Sequence, residues 1–324
     1  MMFRRQWLAM SALALSALAL GSAQADTFPS RPIKIIVPFA AGGTGDVLIR
    51  TLQEPLQRRL GQPIIVENRL GASGSMGTVF VKNSPADGYT LLQVGNSTVT
   101  TPMLQKTANY DSQKDLAPVG LIATTPMVFL LNPVVPATSI KQLIDYAKAN
   151  PGKLEFSSAG RGSLAHLATE SFNQAAGLKM VFVPYQGASQ AVNAVLAGDV
   201  KVALTTPSDA INAFVSAGRV RMLAVSSEKR SPLLPDVPAI AETLPNFAVN
   251  AFFGLSAPAG TPPAIVAKLN DALNKSIAEP AVQEKLKVLG MFPHPNDAKS
   301  FGDMMTRDHA LWTGVIARAG IEAE

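Results

Sequence analysis

Short runs of β-branched residues alternate along this chain with longer stretches in which apolar residues recur every three or four positions. The first such run is Ile33–Val37. The stretch after it carries a leucine at every fourth position, which lines one face of a helix: Leu48, Leu52, Leu56 and Leu60. Repeated alternation of this kind predicts an α/β protein whose strands are largely parallel.

The same pattern continues to the C-terminus. It predicts strands at 64–67, 90–94, 154–157, 180–183, 200–204 and 221–225. It predicts helices at 139–149, from 163, from 188, after 207, and at 263–278, 280–289 and 297–319. Ser139 and Gln142 have the spacing of a capping box at the start of the first of these helices. Four prolines within 231–245 predict an extended surface connection.

The N-terminus has the order of a secretory signal peptide. Arg4 and Arg5 precede an apolar run from Leu8 to Leu20, and the small residues at Ala23 and Ala25 suit a signal peptidase. This run is too short to span a bilayer as a helix, which takes about 20 residues. We therefore predict cleavage after Ala25, removal of residues 1–25, and a water-soluble periplasmic product.

The chain contains no cysteine. A lipoprotein anchor, disulfides, a cysteine nucleophile and cysteine-ligated metals are therefore excluded. The formal net charge is +5, and it becomes +3 when Arg4 and Arg5 leave with a segment that holds no acidic residue. Because Lys and Arg occur singly along the chain, without interleaved aromatics, the sequence does not predict nucleic-acid binding.

The candidate binding sites are four segments with the same arrangement, in which a strand is followed by a loop of small residues and then by the start of a helix. These segments are 38–46, 95–98, 157–163 and 183–187. The first N–H groups of a helix have no internal partner and favour an anion. Because ligands of open α/β sheets bind beyond the carboxyl ends of strands, these loops predict two lobes that face one cleft. Phe39 and Tyr185 would form its walls. For the first loop the alternative stays open that Thr44 or Asp46 only caps its own helix.

Enzyme motifs do not occur in the sequence. It has no nucleophile elbow, no phosphate-binding lysine loop and no zinc pair. Of the three histidines, His166 is predicted to bond a nearby loop rather than act as a general base. His294 lies in a predicted loop between two prolines, His309 lies far along the last predicted helix, and no cluster of His and carboxylates has metal-ligand spacing. We predict no catalytic residues, no cofactor and no metal site.

The loops resemble those of a known family. The chain is similar to Bug-type extracytoplasmic solute receptors, the binding components of tripartite tricarboxylate transporters, from residue 28 almost to the C-terminus. The residues that carry the resemblance are Ile36-Val37-Pro38-Phe39 with Gly42-Gly43 and Asp46, Val66-Glu67-Asn68-Arg69, Asp87–Leu92, Ala149–Lys153, Gly162–His166, Val183-Pro184-Tyr185, Leu234–Pro238 and Ala257–Pro262.

The resemblance implies a two-lobed periplasmic-binding-protein (Venus-flytrap) fold, which with the pattern above means a largely parallel sheet in each lobe. It places residues 26–126 and 247–324 in lobe 1 and residues 127–246 in lobe 2. It also implies that a ligand carboxylate binds at the loop after the first strand, with contacts from both lobes. The predicted ligand-binding residues are Phe39, Gly42, Gly43, Thr44, Asp46, Asn96, Ser97, Thr98, Gly162, Ser163, His166, Tyr185 and Thr205.

The implied function is capture of a small organic anion for the membrane permease subunits of such a transporter, by a monomeric receptor. Lys201 and Thr205 stand where relatives often carry acids. If Thr205 lines the cleft, a ligand ammonium group has no partner, which favours an aliphatic or aromatic carboxylate without a cationic group. Two alternatives remain at this point: a periplasmic sensor subunit that feeds a signalling system, and a hydrolase or lyase working from the same cleft.

Overall fold

The computed structural model of the protein describes residues 28–323. The predicted signal peptide and its cleavage site after Ala25 lie outside the described residues. Within residues 28–323, no helix has the length and apolar character needed to cross a membrane.

The chain alternates strands and helices as the sequence pattern predicts. The strands are β1 (Ile33–Val37), β2 (Ile64–Asn68), β3 (Thr90–Gly95), β4 (Leu116–Pro126), β5 (Val128–Leu131), β6 (Glu155–Ser158), β7 (Val181–Pro184), β8 (Val202–Thr205), β9 (Arg221–Val225), β10 (Asn250–Pro258) and β11 (Phe292–Pro293). The helices are α1 (Thr44–Leu60), α2 (Ser75–Lys82), α3 (Asn96–Leu104), α4 (Ile140–Ala149), α5 (Leu164–Ala176), α6 (Ala188–Ala197), α7 (Asp209–Ser216), α8 (Pro263–Ile277), α9 (Pro280–Val288) and α10 (Ala298–Ala319). Short 3-10 turns occur at Ala72–Gly74 and Ile240–Glu242.

Two sheets form the two lobes. The first has the strand order β11-β4-β10-β3-β1-β2 and the second β7-β6-β8-β5-β9. In the first sheet β1 is parallel to β2 and β3, whereas β10 is antiparallel to β3 and β4. In the second, β6 is parallel to β7 and β8, whereas β5 is antiparallel to β8 and β9. The predicted α/β fold with one sheet in each lobe is confirmed, but both sheets are mixed rather than largely parallel.

The antiparallel pairs arise where the chain passes between the sheets. It leaves the first sheet along β4 and enters the second along β5, with only Met127 between them, and it returns along β10. Since β4 and β10 are neighbours, the two crossings lie side by side, with Pro126 opposite Asn250. The buried Ser226 ties them together, because its Oγ accepts the N–H of Met127 and donates to the carbonyl of Val249.

The last helix packs on both lobes. One buried apolar cluster contains Ile36 from the first sheet, Phe156 from the second, and Trp312 from α10. Near the end of α10, Gln174 of α5 donates a hydrogen bond to the carbonyl of Val315 at 3.0 Å. The guanidinium of Arg318 donates to the same Gln174 side chain at 2.8 Å. Helix α10 thus follows the first lobe in sequence and contacts the second lobe in space.

Most predicted elements occur in the structure. Each predicted strand and the last three predicted helices begin and end within two residues of the observed bounds. The predicted capping box at α4 is half right, because Ser139 Oγ accepts the N–H of Gln142. The Gln142 side chain instead accepts the N–H and hydroxyl of Thr138. The segment 231–245 is not extended throughout, since it contains the turn Ile240–Glu242.

Candidate functional site

A cavity of about 580 Å³ lies between the two lobes. Its walls contain the N-terminal ends of three helices, α1 and α3 from the first lobe and α5 from the second. The structure brings together these residues predicted from the sequence: Phe39, Gly43, Thr44, Asn96, Ser97, Gly162 and Ser163. Loops that are more than 100 residues apart along the chain therefore form one site.

The side chain of Asp46 fixes the conformation of the loop between β1 and α1. The Asp46 carboxylate is buried and accepts the N–H of Gly42 at 2.9 Å, the side-chain amide of Asn68 at 2.9 Å and the guanidinium of Arg50 at 3.0 Å. The hydrogen bond from Arg50 is the main reason that the pKa of Asp46 falls to about 2. Asn68 also donates to the carbonyl of Phe39. Gly42 and Asp46 do not line the cavity, so Asp46 holds the loop in place, and Phe39, Gly43 and Thr44 form its cavity-facing part.

The second predicted loop, Gly95–Thr98, is helical from Asn96 onwards. Helix α3 begins directly at Asn96 with Gly95 as its N-cap, because the N–H of Gly95 already donates to Thr98 Oγ1 within the first turn. The side chain of Asn96 accepts the N–H of Phe252 and donates to Asp308 on α10. Thr98 and the Asn96 side chain therefore fix this helix end, and Ser97 is left half-buried in the cavity wall.

The third loop, between β6 and α5, is held by His166. Its Nδ1 accepts the N–H of Gly162 at 2.9 Å, and Ser163 Oγ accepts the N–H of His166 at 3.3 Å. The imidazole is buried and stacks on Phe182 with ring centroids 3.9 Å apart. Burial lowers the pKa of His166 to about 4, so the ring is neutral at neutral pH. The predicted bond from His166 to a nearby loop is confirmed, and His166 is outside the cavity lining.

Protonation of His166 should make the protein's stability depend on pH. Its pKa in the folded protein is about 4, below the ordinary value of 6.5, so the contribution is complete above pH 6.5 and is lost as the pH falls towards 4. Relative to a His166→Asn variant, which cannot titrate, the wild-type unfolding free energy should fall by up to about 3 kcal/mol over this range. Urea unfolding at several pH values measures the difference. A difference that does not change with pH would contradict the burial of the imidazole, and His309→Asn serves as the control.

The two site residues predicted at the ends of β7 and β8 also do not reach the cavity. Tyr185 is half-buried after β7, where its N–H donates to the carbonyl of Ser158. Thr205 is buried at the end of β8, opposite Val128 of the adjacent strand. Neither residue lines the cavity. The argument that the ligand lacks a cationic group depended on Thr205 at the site, and it loses that support.

Several cavity residues were not predicted. They come from β3, from the turn before α2, from α3 and its C-cap, from β10 and from the C-terminal residues after α10: Ser73, Gln93, Thr100, Thr101, Leu104, Gln105, Phe252, Phe253 and Glu322. Arg161 and Gly45 lie within two predicted loops and were not selected. Strand β10 gave no period-two signal because most of its residues are buried on both faces. Ser73 is held by Gln105, whose side-chain amide donates to its hydroxyl at 2.9 Å.

The combination of groups suits an organic anion. Helix-start N–H groups and hydroxyls converge from both lobes, and Phe39, Phe252 and Leu104 add apolar wall. Glu322 adds a carboxylate to the lining. Among residues 28–323, no group of three or more His, Asp or Glu side chains is arranged to hold a metal ion.

The fold and cavity define a solute-binding protein of the periplasmic binding class, with two α/β lobes around one site. Within that class the chain belongs to the family described as "Tripartite tricarboxylate transporter family receptor", which matches residues 48–321. The chain is 37% identical to protein BugT of Bordetella pertussis over 303 residues, which are 91% of each chain. The resemblance to Bug-type receptors is therefore confirmed.

Two similar solved structures contain carboxylates. One is Rpa4515 of R. palustris with adipate, which is 32% identical with a TM-score of 0.76 and covers 92% of this chain and 100% of that one. The other is MatC of Rhodopseudomonas palustris with bound malate, which is 30% identical with a TM-score of 0.72 and covers 89% and 100%.

Proposed function

We propose that this protein is an exported periplasmic receptor that captures a small carboxylate between its lobes and delivers it to the membrane subunits of a tripartite tricarboxylate-type transporter. The observation that carries the proposal is the convergence of three helix N-termini, from α1, α3 and α5, on one cavity. Each end supplies unpaired N–H groups and the positive end of a helix dipole, both of which favour an anion. We propose that Phe39, Gly43, Thr44, Ser97 and Ser163 contact the ligand directly.

The ligand class follows from the same cavity. Its apolar wall suits the carbon chain of an aliphatic or aromatic acid, and the similar solved structures with adipate and malate support this class. The protein would bind the acid without chemical change and without a cofactor, as a monomer. Family membership supports the permease subunits as its partner.

Closure would occur where the chain crosses between the lobes. We propose lobe 1 as residues 26–126 and 247–324 and lobe 2 as residues 127–246, which agrees with the strands that each sheet contains. Both borders fall at the crossings that Ser226 joins. A ligand that touches Thr44 on one lobe and Ser163 on the other would favour the closed form, because its contacts are complete only there.

Binding and closure can be measured separately. A thermal-shift and calorimetric screen of aliphatic and aromatic carboxylates should find at least one that stabilises the protein, by about 2.7 kcal/mol at 100 times its dissociation constant. Small-angle X-ray scattering should then show a smaller radius of gyration with that acid at saturation. Absence of any carboxylate ligand would contradict the proposed binding function, and binding without compaction would contradict the proposed closure.

A further inference from the structure

The cavity lining contains an unpaired hydrogen-bond acceptor. A site that binds only an anion has no use for this atom, because an anion needs hydrogen-bond donors. Six side chains in the described part of the chain have a buried polar atom without a hydrogen-bond partner: Ser75, Gln93, Ser112, Asn173, Asn250 and Ser256. Among these six, Gln93 is the one that lines the cavity. Its side chain is 2% exposed, and the unpaired atom is the carbonyl oxygen Oε1.

The position of Gln93 places this oxygen between two anion-binding helix ends. Gln93 lies on β3, two residues before the N-cap of α3. A Cβ at Gly45, in the first turn of α1, would lie 2.7 Å from Oε1, and one at Gly95 would lie 3.9 Å from Nε2. The amide group therefore lies directly against two glycines of the cavity wall.

The orientation of the amide is set by its nitrogen. Nε2 donates to the carbonyl of Val94 at 2.8 Å, which leaves Oε1 to face Gly45 as an acceptor. The terminal torsion of a glutamine is soft, so a small turn brings Oε1 to a donor that lies over Gly45. A carboxylate bound at the α1 N-terminus cannot supply that donor, because it carries only acceptor oxygens.

We propose, on the basis of the proposed function, that Gln93 is a specificity-determining residue that selects carboxylates with a hydroxyl group next to the bound carboxyl. A hydroxyl can donate to Oε1 while its carboxylate accepts from the helix-start N–H groups. An ammonium group suits this position less well, because the positive ends of two helix dipoles meet there and the amide oxygen carries no formal charge. Glu322 and Arg161 both line the cavity and carry opposite charges. The nearby side-chain charges therefore do not reverse this preference.

The test compares acids that differ only in the hydroxyl. Calorimetry with the full mature protein would use malate against succinate and citrate against tricarballylate, with aspartate as the ammonium analogue of malate. In the wild type the hydroxy acid of at least one pair should bind about tenfold or more tightly than its partner, because the partner leaves a buried acceptor unpaired. Malate should also bind more tightly than aspartate.

The variant Gln93→Met keeps the length of the side chain and removes the acceptor. The affinity ratio of the pair should fall towards one, mainly through weaker binding of the hydroxy acid. The melting temperature of the ligand-free variant should stay close to that of the wild type, since the substitution removes an unpaired buried oxygen but also the donor to the Val94 carbonyl. Gln283→Met, on the exposed face of α9, is the matched control and should change neither quantity.

The outcomes separate this inference from the proposed function. Binding of both acids of each pair with equal affinity by the wild type, or an unchanged ratio in Gln93→Met, would overturn the role of Gln93 and leave the receptor function intact. The wild-type ratio decides the matter even if the variant fails to fold. Absence of binding to every carboxylate would overturn both.

Discussion

Replacing Asp46 by alanine is expected to weaken carboxylate binding by about 30-fold or more, although Asp46 does not line the cavity. Its carboxylate fixes the loop after β1 through Gly42, Asn68 and Arg50. Without it, ligand binding must order two loop residues, at a cost of about 1–2 kcal/mol each, and about 2 kcal/mol in total already corresponds to about 30-fold. The variant should also lose about 2 kcal/mol of stability, because the hydrogen bonds from Gly42, Asn68 and Arg50 to the buried carboxylate are lost.

Two comparisons distinguish this positioning role from a general loss of charge. Asp46→Asn keeps one acceptor oxygen, which can serve Gly42 or Asn68 but not both. Calorimetry should therefore show an affinity between that of the wild type and that of the alanine variant. Asp145→Ala removes an exposed carboxylate paired with Lys141 and should change stability by less than about 0.5 kcal/mol and affinity not at all. Wild-type affinity in Asp46→Ala would show that the loop keeps its shape without this carboxylate.

Replacing Trp312 by alanine is expected to give a larger loss of stability, about 3–5 kcal/mol in urea unfolding. Trp312 is fully buried in the cluster that joins residues of both sheets beneath α10. Its indole N–H also donates to Asp308 at 2.9 Å, and burial raises the pKa of Asp308 to about 6. The substitution therefore opens a cavity and removes a donor from a carboxyl group that is poorly hydrated.

Partial substitutions separate the two contributions. Trp312→Phe keeps most of the apolar contact and removes the donor, so it should cost about 1–3 kcal/mol. Leu311→Ala, at the neighbouring exposed position of α10, should cost less than about 1 kcal/mol. An equal loss for Trp312→Ala and Leu311→Ala would contradict the placement of Trp312 at the centre of the shared core. Because Asp308 contacts Asn96 at the cavity, the Trp312 variants should also weaken ligand binding.

The elements were predictable where local signals agree. Strand β1 is a short apolar run, and α1 shows a regular leucine spacing that ends at Gly61, whose φ of +71° suits glycine. Strands β4 and β10 were not predicted from the sequence. Both are buried on both faces, so they lack alternation, and β4 also contains Pro118 and Gly120, which weaken a strand signal.

The site was predictable only in part, for a related reason. Small residues at strand-to-helix junctions are visible in the sequence, so Gly43, Thr44 and Ser163 could be identified. Whether a junction residue faces the cavity or the interior depends on its hydrogen bonds, which placed Asp46 and His166 behind the loops. Gln93 lies inside an otherwise apolar strand and carries no motif.

The sequence by itself determined the alternation of elements, the family and the loops that can bind an anion, because each of these depends on residues close together along the chain. Tertiary structure decided which loops share a cavity, the mixed direction of both sheets, and the passage of α10 across both lobes. These features depend on contacts such as Pro126 with Asn250 and Gln174 with Val315, which join residues more than 100 positions apart. Local periodicity carries no information about such pairs.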